Sequence, residues 1–339
     1  MKQSELQESS VFFKDLKQSI QQAKKRIWIQ VMIFEMVPSM EEYITLFIDA
    51  AKRGVDVQFS FDWISERYYS ENLDVYPTIN HKKMEIRQRV HLFVQEQYEK
   101  LRKAGVRVTI LNVPSPIGSL LLLGKRNHNK LFIIDDVAWT GGINIIANPK
   151  RFIDFMVKLY DPRIVFVIAE YFSMKKKINS IIPSTPDYQF LIDDGKKGGS
   201  FIYDKAIELI RNTKQEIIFV SQMLPDTGFL NQLVKKSKEG VHINAIISSA
   251  EHNIFTKFPF RYHYELFQSK IKNNSHFALL HSQQWIHAKL LVIDNNKAIF
   301  GSHNFAKWNE LIGIEETGFL TTDKQLIVQF NKFSQSIKI

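Results

Sequence analysis

An α/β fold in two related halves is predicted for this 339-residue chain. Three observations predict it. Helical and strand periodicities alternate along the chain. A run of helix, strand, glycine-terminated helix and strand occurs twice. One polar motif also occurs twice, late in each half.

The first half opens with helical spacing at Phe12, Phe13, Leu16, Ile20 and Ala23, then strand alternation at Ile27, Ile29, Val31 and Ile33. Residues 41–54, EEYITLFIDAAKRG, read as a second helix with Gly54 at its C-terminus, and the strand VDVQFSFD follows. The second half repeats this order. DKAIELIRNTKQE (204–216) reads as a helix, IIFVSQML as a strand, FLNQLVKKSKEG as a helix ending at Gly240, and VHINAIIS as a strand. Ile27 matches Ile217 at an offset of 190, and Gly54 matches Gly240 at 186. So long an offset marks an internal duplication rather than a short-period solenoid. The first half carries extra material at about residues 64–100, including a basic helix-like stretch, and then the strand VRVTILNV. The stretch 173–187 holds Lys175–Lys177, Pro183 and Pro186 and reads as a linker. The boundary placed there gives halves of residues 1–180 and 181–339. Helices are expected to cover the faces of each sheet.

Hydrophobic residues make up 45% and charged residues 24%, enough apolar material for packed cores. The net charge of +10 favours phosphates, whether on nucleic acid or on anionic lipid. The chain has no cysteine, which excludes disulfides, thiolate nucleophiles and cysteine-ligated zinc. The first residues, MKQSELQESSVFFKDL, have no apolar signal-peptide core, and no window approaches the run of about 18 apolar residues that crosses a membrane. The expectation is a cytoplasmic protein with peripheral membrane contact at most.

Segment 126–144 reads RNHNKLFIIDDVAWTGGIN, and segment 286–304 reads IHAKLLVIDNNKAIFGSHN. Both follow H-x-K, four residues, D, then G-[GS]-x-N. From His to Asn is 16 positions in the first copy and 17 in the second, the difference falling in the turn after the Asp. On an extended strand, residues i and i+2 share a face, so each His and Lys project together. The strand then turns and brings the Gly-x-x-Asn segment back beside the His. Asn donates hydrogen bonds to phosphate oxygens, Lys adds positive charge, and glycine permits close backbone approach. One H-x-K is a weak signal. Two complete copies in matching fold units are a strong one.

This doubled pattern resembles the HKD motif of the phospholipase D superfamily, over about residues 10–335. It looks closest to bacterial cardiolipin synthases and related phosphatidyltransferases. RNHNKLFIIDDVAWTGGINI, with its Gly-Gly pair, is similar to that group's first motif. So are the flanking stretches AAKRGVDVQFSFD, LRKAGVRVTILN and, from Asp154, DFMVKLYDPRIVFVIAEYF. After Asn304 the synthases usually carry an acidic residue, Arg-Ser and Asn-x-Glu. Here the chain reads FAKWNELIGIEE, without the Arg-Ser pair. The resemblance implies two phospholipase D-like α-β-α sandwich domains with pseudo-twofold symmetry and one active site at their interface.

The candidate site residues are His128, Lys130, Asp135 and Asn144 with His287, Lys289, Asp294 and Asn304. One histidine attacks phosphorus and the other protonates the departing alcohol. Family analogy makes His128 the nucleophile and His287 the acid. The lysines and asparagines would hold the non-bridging oxygens. Asp154 and Glu315 are the candidate carboxylates that orient the imidazoles, with Glu316 as the alternative to Glu315. Asp135 and Asp294 read as holding the strand-to-turn geometry. His303 is a candidate wall of the site. Ser119–Leu123 is either a buried strand or an apolar lip dipping into lipid. No metal or cofactor is expected. The leading reading is a phosphatidyltransferase acting on a phosphatidylglycerol-like phospholipid at the anionic inner face of the membrane. The alternatives are a lipid hydrolase, a nuclease whose basic surface binds nucleic acid, and a non-catalytic binding module.

Overall fold

Near-continuous apolar runs such as LFII and LLVI form the centre of two sheets and are buried on both faces. The computed structural model describes residues 3–69, 72–73, 80–113, 125–174, 177–196, 198–249, 261–307 and 313–339. The first sheet comprises β1 (Glu5–Glu8), β2 (Arg26–Val31), β3 (Asp56–Asp62), β4 (Arg107–Leu111), β5 (Lys130–Ile134), β6 (Val137–Gly141) and β7 (Phe155–Leu159), in the order β1-β7-β6-β5-β2-β3-β4. The second comprises β8 (Ser180–Thr185), β9 (Tyr188–Asp194), β10 (Glu216–Ser221), β11 (His242–Ser248), β12 (Phe277–Ser282), β13 (Leu290–Ile293), β14 (Lys297–Gly301) and β15 (Ile314–Thr321), in the order β8-β9-β15-β14-β13-β10-β11-β12. From β7 to β4 and from β15 to β12 the order and the strand directions are the same. The duplication therefore reaches the level of strand register.

Three apolar cores hold five layers together. Helices α1 (Ser9–Gln22), α2 (Glu41–Lys52) and α3 (His81–Lys103) cover the outer face of the first sheet through Leu16, Phe47 and Tyr98 against Ile29 and Phe59. Helices α5 (Phe201–Asn212), α6 (Thr227–Lys238) and α7 (Arg261–Ile271) do the same for the second through Ile210, Leu233 and Phe267. Between the sheets lie α4 (Pro162–Ser173) and α8 (Lys324–Ser336), with Ile168 and Phe330 in the shared core beside Phe155, Val220 and Phe300. Gly54 and Gly240 end α2 and α6 with φ of +86° and +93°, the left-handed conformation that glycine adopts without strain.

Two sequence readings change here. The linker reading of 173–187 fails beyond Ser180, because β8 forms a hairpin with β9 at the sheet edge. Pro183 fits there, since an edge strand leaves room for a missing N–H, and the register shifts between Pro183 and Thr185. The extra length of the first half includes α3, whose counterpart in the second half is the shorter α7.

Asp135 and Asp294 sit at the far end of β5 and β13 from the histidines. The Asp135 carboxylate accepts the backbone N–H groups of Lys24, Lys25 and Arg26 at 3.0, 2.7 and 3.2 Å. Asp294 accepts those of Lys214, Gln215 and Glu216 at 3.1, 2.7 and 3.0 Å. Both have positive φ, +50° and +48°. They fix the turn into β2 and into β10, apart from the histidines. Asp135→Ala and Asp294→Ala are each expected to cost about 1–3 kcal/mol, because three amides lose their acceptor. Urea unfolding measures this, and an unchanged midpoint would show that these bonds carry no stability.

Candidate active site

Two short backbone clasps bring the motifs together. Arg126–Asn127 pairs in parallel with Ile314 and Glu315, and Phe152–Ile153 pairs in parallel with Trp285–Ile286. His128 N–H donates to the Glu315 carbonyl at 2.9 Å, and His287 N–H donates to the Ile153 carbonyl at 2.8 Å. Each histidine is thus anchored by main chain of the opposite half.

Their side chains cross over in the same way. His128 Nδ1 lies 3.0 Å from each carboxylate oxygen of Glu316. His287 Nδ1 lies 2.7 Å from Asp154 Oδ2, while Asp154 Oδ1 accepts the Phe155 N–H at 2.9 Å. With carboxylates as acceptors, both Nδ1 atoms carry protons and donate. Nε2 of each ring is then the nitrogen free for chemistry. Burial opposes the charge of Glu316, but His128 and then His303 and Lys130 outweigh it and hold its pKa at about 2.

Glu315 does not take the orienting place expected of it; Glu316 does. Strand register gives the reason. Gly141 faces Met156, and Gly301 faces Gly318. Counting back two residues from each partner gives Asp154 and Glu316 as counterparts, and neighbours on a strand point to opposite faces. Glu315 points the other way, accepting from Asn127 Nδ2 at 3.0 Å, Asn129 Nδ2 at 3.1 Å and the Tyr171 hydroxyl. Burial raises its pKa.

Lys130 and Lys289 are almost fully buried. Lys130 Nζ donates to the His128 carbonyl at 2.7 Å, and Lys289 Nζ donates to the His287 carbonyl. Burial pushes Lys130 down to about 7, aided by the Lys289 ammonium and opposed by Glu316 and Asp154. Burial likewise brings Lys289 to about 8. His287 falls to about 4, first through burial and then through Lys289. His128 is also lowered by burial, with Glu316 opposing. Each lysine acts on groups of both halves, so the charges form one site. Removing ammonium groups from water costs several kcal/mol per ion. An anion bound beside the two lysines would raise their lowered pKa values and favour the ammonium forms.

The two halves differ around this frame. Ser302 Oγ donates to Glu316. Its counterpart is Gly142, where a Cβ would lie 2.2 Å from Asp154 Oδ1. Asn144 Oδ1 accepts the Ile33 N–H at 3.1 Å, which returns the Gly-Gly-x-Asn segment to the end of β2. Asn304 is buried within the second motif. His303, where the first copy has Ile143, is buried and lies 3.3 Å through Nε2 from Ser200 Oγ, which in turn bonds Asp193. Burial raises Asp193 to about 7 and lowers His303 to about 4. Sequence reasoning missed Ser302, Ser200 and Asp193. Only Ser302, within the motif, offered a signal. The run Ser119–Leu123 lies outside the described residues. Among the described residues, no helix is long and apolar enough to cross a membrane.

Paired H-x-K segments on two sheets of matching order define a two-domain phospholipase D-like protein. The family described as "Cardiolipin synthase, PLD-like domain" matches residues 16–176 and 206–337, and the chain belongs to this family. It is 23% identical over 348 residues to the major cardiolipin synthase ClsA of Bacillus subtilis (strain 168), covering 94% of this chain and 66% of that protein. It is 22% identical over 317 residues to the minor cardiolipin synthase ClsB of the same organism, covering 87% and 72%. The chain therefore spans about two thirds of the length of these relatives. Its fold is shared with phosphatidylserine synthase of Haemophilus influenzae Rd KW20, at a TM-score of 0.77 and 12% identity over 98% of this chain and 85% of that one. Polyphosphate kinase of Porphyromonas gingivalis matches at a TM-score of 0.61 and 13% identity, over 98% and 50%.

Two outcomes follow for the site. Gly142→Ala is expected to push Asp154 away from His287 and lower activity by about tenfold or more, since misplacing a reacting group by an ångström is costly. Wild-type rates in that variant would show that Asp154 has room to move. Binding of a phosphate-like anion such as tungstate at pH 8 should take up protons, because Lys130 and Lys289 titrate at about 7 and 8 when the site is empty. Both values lie below the ordinary 10.5, so the stability contribution of the pair rises with pH from about 7 to 10.5. Calorimetry in buffers of different ionisation enthalpy reads the uptake, and buffer-independent heats would contradict the lysine assignment.

Proposed function

We propose that the chain is a cardiolipin synthase-like phosphatidyltransferase that works through a covalent phospho-histidine. The observation that carries the chemistry is the pair of imidazoles, each holding Nδ1–H on a carboxylate of the opposite half. The lipid substrate is supported by the family and by the cardiolipin synthases among its relatives.

In this scheme His128 Nε2 attacks phosphorus while its Nδ1–H leans on Glu316. The bond from phosphorus to the leaving oxygen breaks, and His287 Nε2 gives that oxygen its proton. Neutral His128 suits the first part. His287 begins from a lowered pKa, and the negative charge of the bound phosphodiester raises it toward the protonated form. Lys130, Lys289, Asn144 and Asn304 are the proposed partners of the non-bridging oxygens. In the second step the acceptor hydroxyl gives its proton to His287 and attacks phosphorus. The phosphorus–nitrogen bond breaks and restores His128. An alcohol acceptor gives transfer, and water gives hydrolysis. The net charge of +10 suits peripheral contact with an anionic membrane at its inner face.

The test is incubation of pure protein with phosphatidylglycerol vesicles and, separately, with plasmid DNA. Cardiolipin plus glycerol is the expected product. Phosphatidic acid alone would move the reading to a hydrolase, and DNA cleavage with intact lipid would overturn both. His128→Ala and His287→Ala should each lower turnover about 10³-fold or more, and activity should survive EDTA. Substantial turnover in either variant would refute a shared site.

A further inference from the structure

The pseudo-twofold relation allows inner-face positions of the two halves to be compared one by one. His128 corresponds to His287, so Asn127 corresponds to Ile286. Ile27 faces Ile134 and Val57, as Ile217 faces Ile293 and Ile243. Gln30 therefore corresponds to Val220, and Ser60 to Ile246. Gln58 faces Arg107 as Asn244 faces Ala278, so Thr109 corresponds to Leu280. Glu315 corresponds to Ile153, one residue before the orienting carboxylate in each half.

In the second half this surface is apolar. Val220, Ile246 and Ile286 are buried in the shared core, and Leu280 and Ile153 pack against it. On the first half Gln30, Ser60, Thr109 and Asn127, joined by Glu315 of the second half, instead line a cavity of about 460 Å³. Gln30 and Asn127 are buried there, Ser60 and Glu315 are half-buried, and Thr109 is exposed at the mouth; burying polar groups costs free energy unless they find partners, whereas filling the same space with hydrocarbon is favourable. The fold itself shows that hydrocarbon fits there. Keeping a polar hole is therefore a feature of this half and not a demand of the architecture.

Charge narrows the occupant. Lys125, Arg126, Lys177 and Lys196 reach the cavity, against the carboxylates of Glu315 and Asp194. Asp194 is already paired with Lys196 at 2.6 Å. The lining thus carries more cationic than anionic side chains, together with neutral hydrogen-bonding groups. Its volume lies in the usual range for small-molecule sites, about 300–1,000 Å³.

We propose that this cavity binds a small phosphorylated polyol, its phosphate toward Lys125 and Lys177 and its hydroxyls toward Gln30, Ser60 and Thr109. The site is distinct from the catalytic one. Asn127 and Glu315 face it, while the next residues, His128 and Glu316, face the reaction from the other side of the same strand pair. The inference rests on the asymmetry of the two halves and not on the reaction proposed above.

Titration calorimetry on the full chain carrying His287→Ala, which prevents turnover, tests it. The probes are sn-glycerol 3-phosphate, glycerol alone, inorganic phosphate alone and phosphatidylglycerol vesicles. Glycerol 3-phosphate should bind more tightly than either fragment. Its affinity should fall about tenfold or more when the second half's residues are installed as Ser60→Ile with Thr109→Leu. Displacement of glycerol 3-phosphate by vesicles would assign the site to a lipid headgroup, and lack of displacement would assign it to the free phosphopolyol. Should the double variant fail to fold, Lys125→Met is expected to weaken binding severalfold. No binding at millimolar concentration would overturn the proposal. Equal affinity in the unaltered and plugged cavities would also overturn it, placing the ligand at the histidines.

Discussion

The arrangement depends on one exchange of hydrogen bonds between halves. Each imidazole is oriented by a carboxylate of the other half, Glu316 for His128 and Asp154 for His287. The backbone repeats the exchange, since each histidine N–H donates to the residue before that carboxylate. Neither sheet can position its own histidine fully. The α4 and α8 layer between the sheets, with its shared apolar core, fixes the distance over which the exchange occurs.

Burial then sets the electrostatics. Two lysines and two histidines are taken from water into one space, and their pKa values fall together. The two carboxylates oppose this fall while also serving as hydrogen-bond acceptors, and an anion bound there would draw the lysines further toward their charged forms. The same desolvation that makes the empty site costly strengthens every attraction to a bound anion.

Much of this was legible in the sequence because both motifs obey strand periodicity. His128 and Lys130, then the apolar run LFII, could only be a strand entering a core, and the second copy repeats it. The choice between Glu315 and Glu316 was not legible. It depends on how β15 pairs with β14, and separation along the chain does not encode that register. The β8 hairpin was hidden by Pro183, whose breaker signal is the same for a linker and an edge strand. The cluster of His303, Ser200 and Asp193 joins residues more than a hundred positions apart, and no local pattern announces it.

Gly142 and Ser302 occupy equivalent places, yet one must be bare beside Asp154 and the other reaches for Glu316. A shorter carboxylate drawn close to the chain leaves no space for a side chain, while a longer one leaves room for a hydroxyl. A twofold dimer of identical single halves would have to use one solution at both places. Joining both halves in one polypeptide removes that obligation. The two histidines can then stand in unlike surroundings.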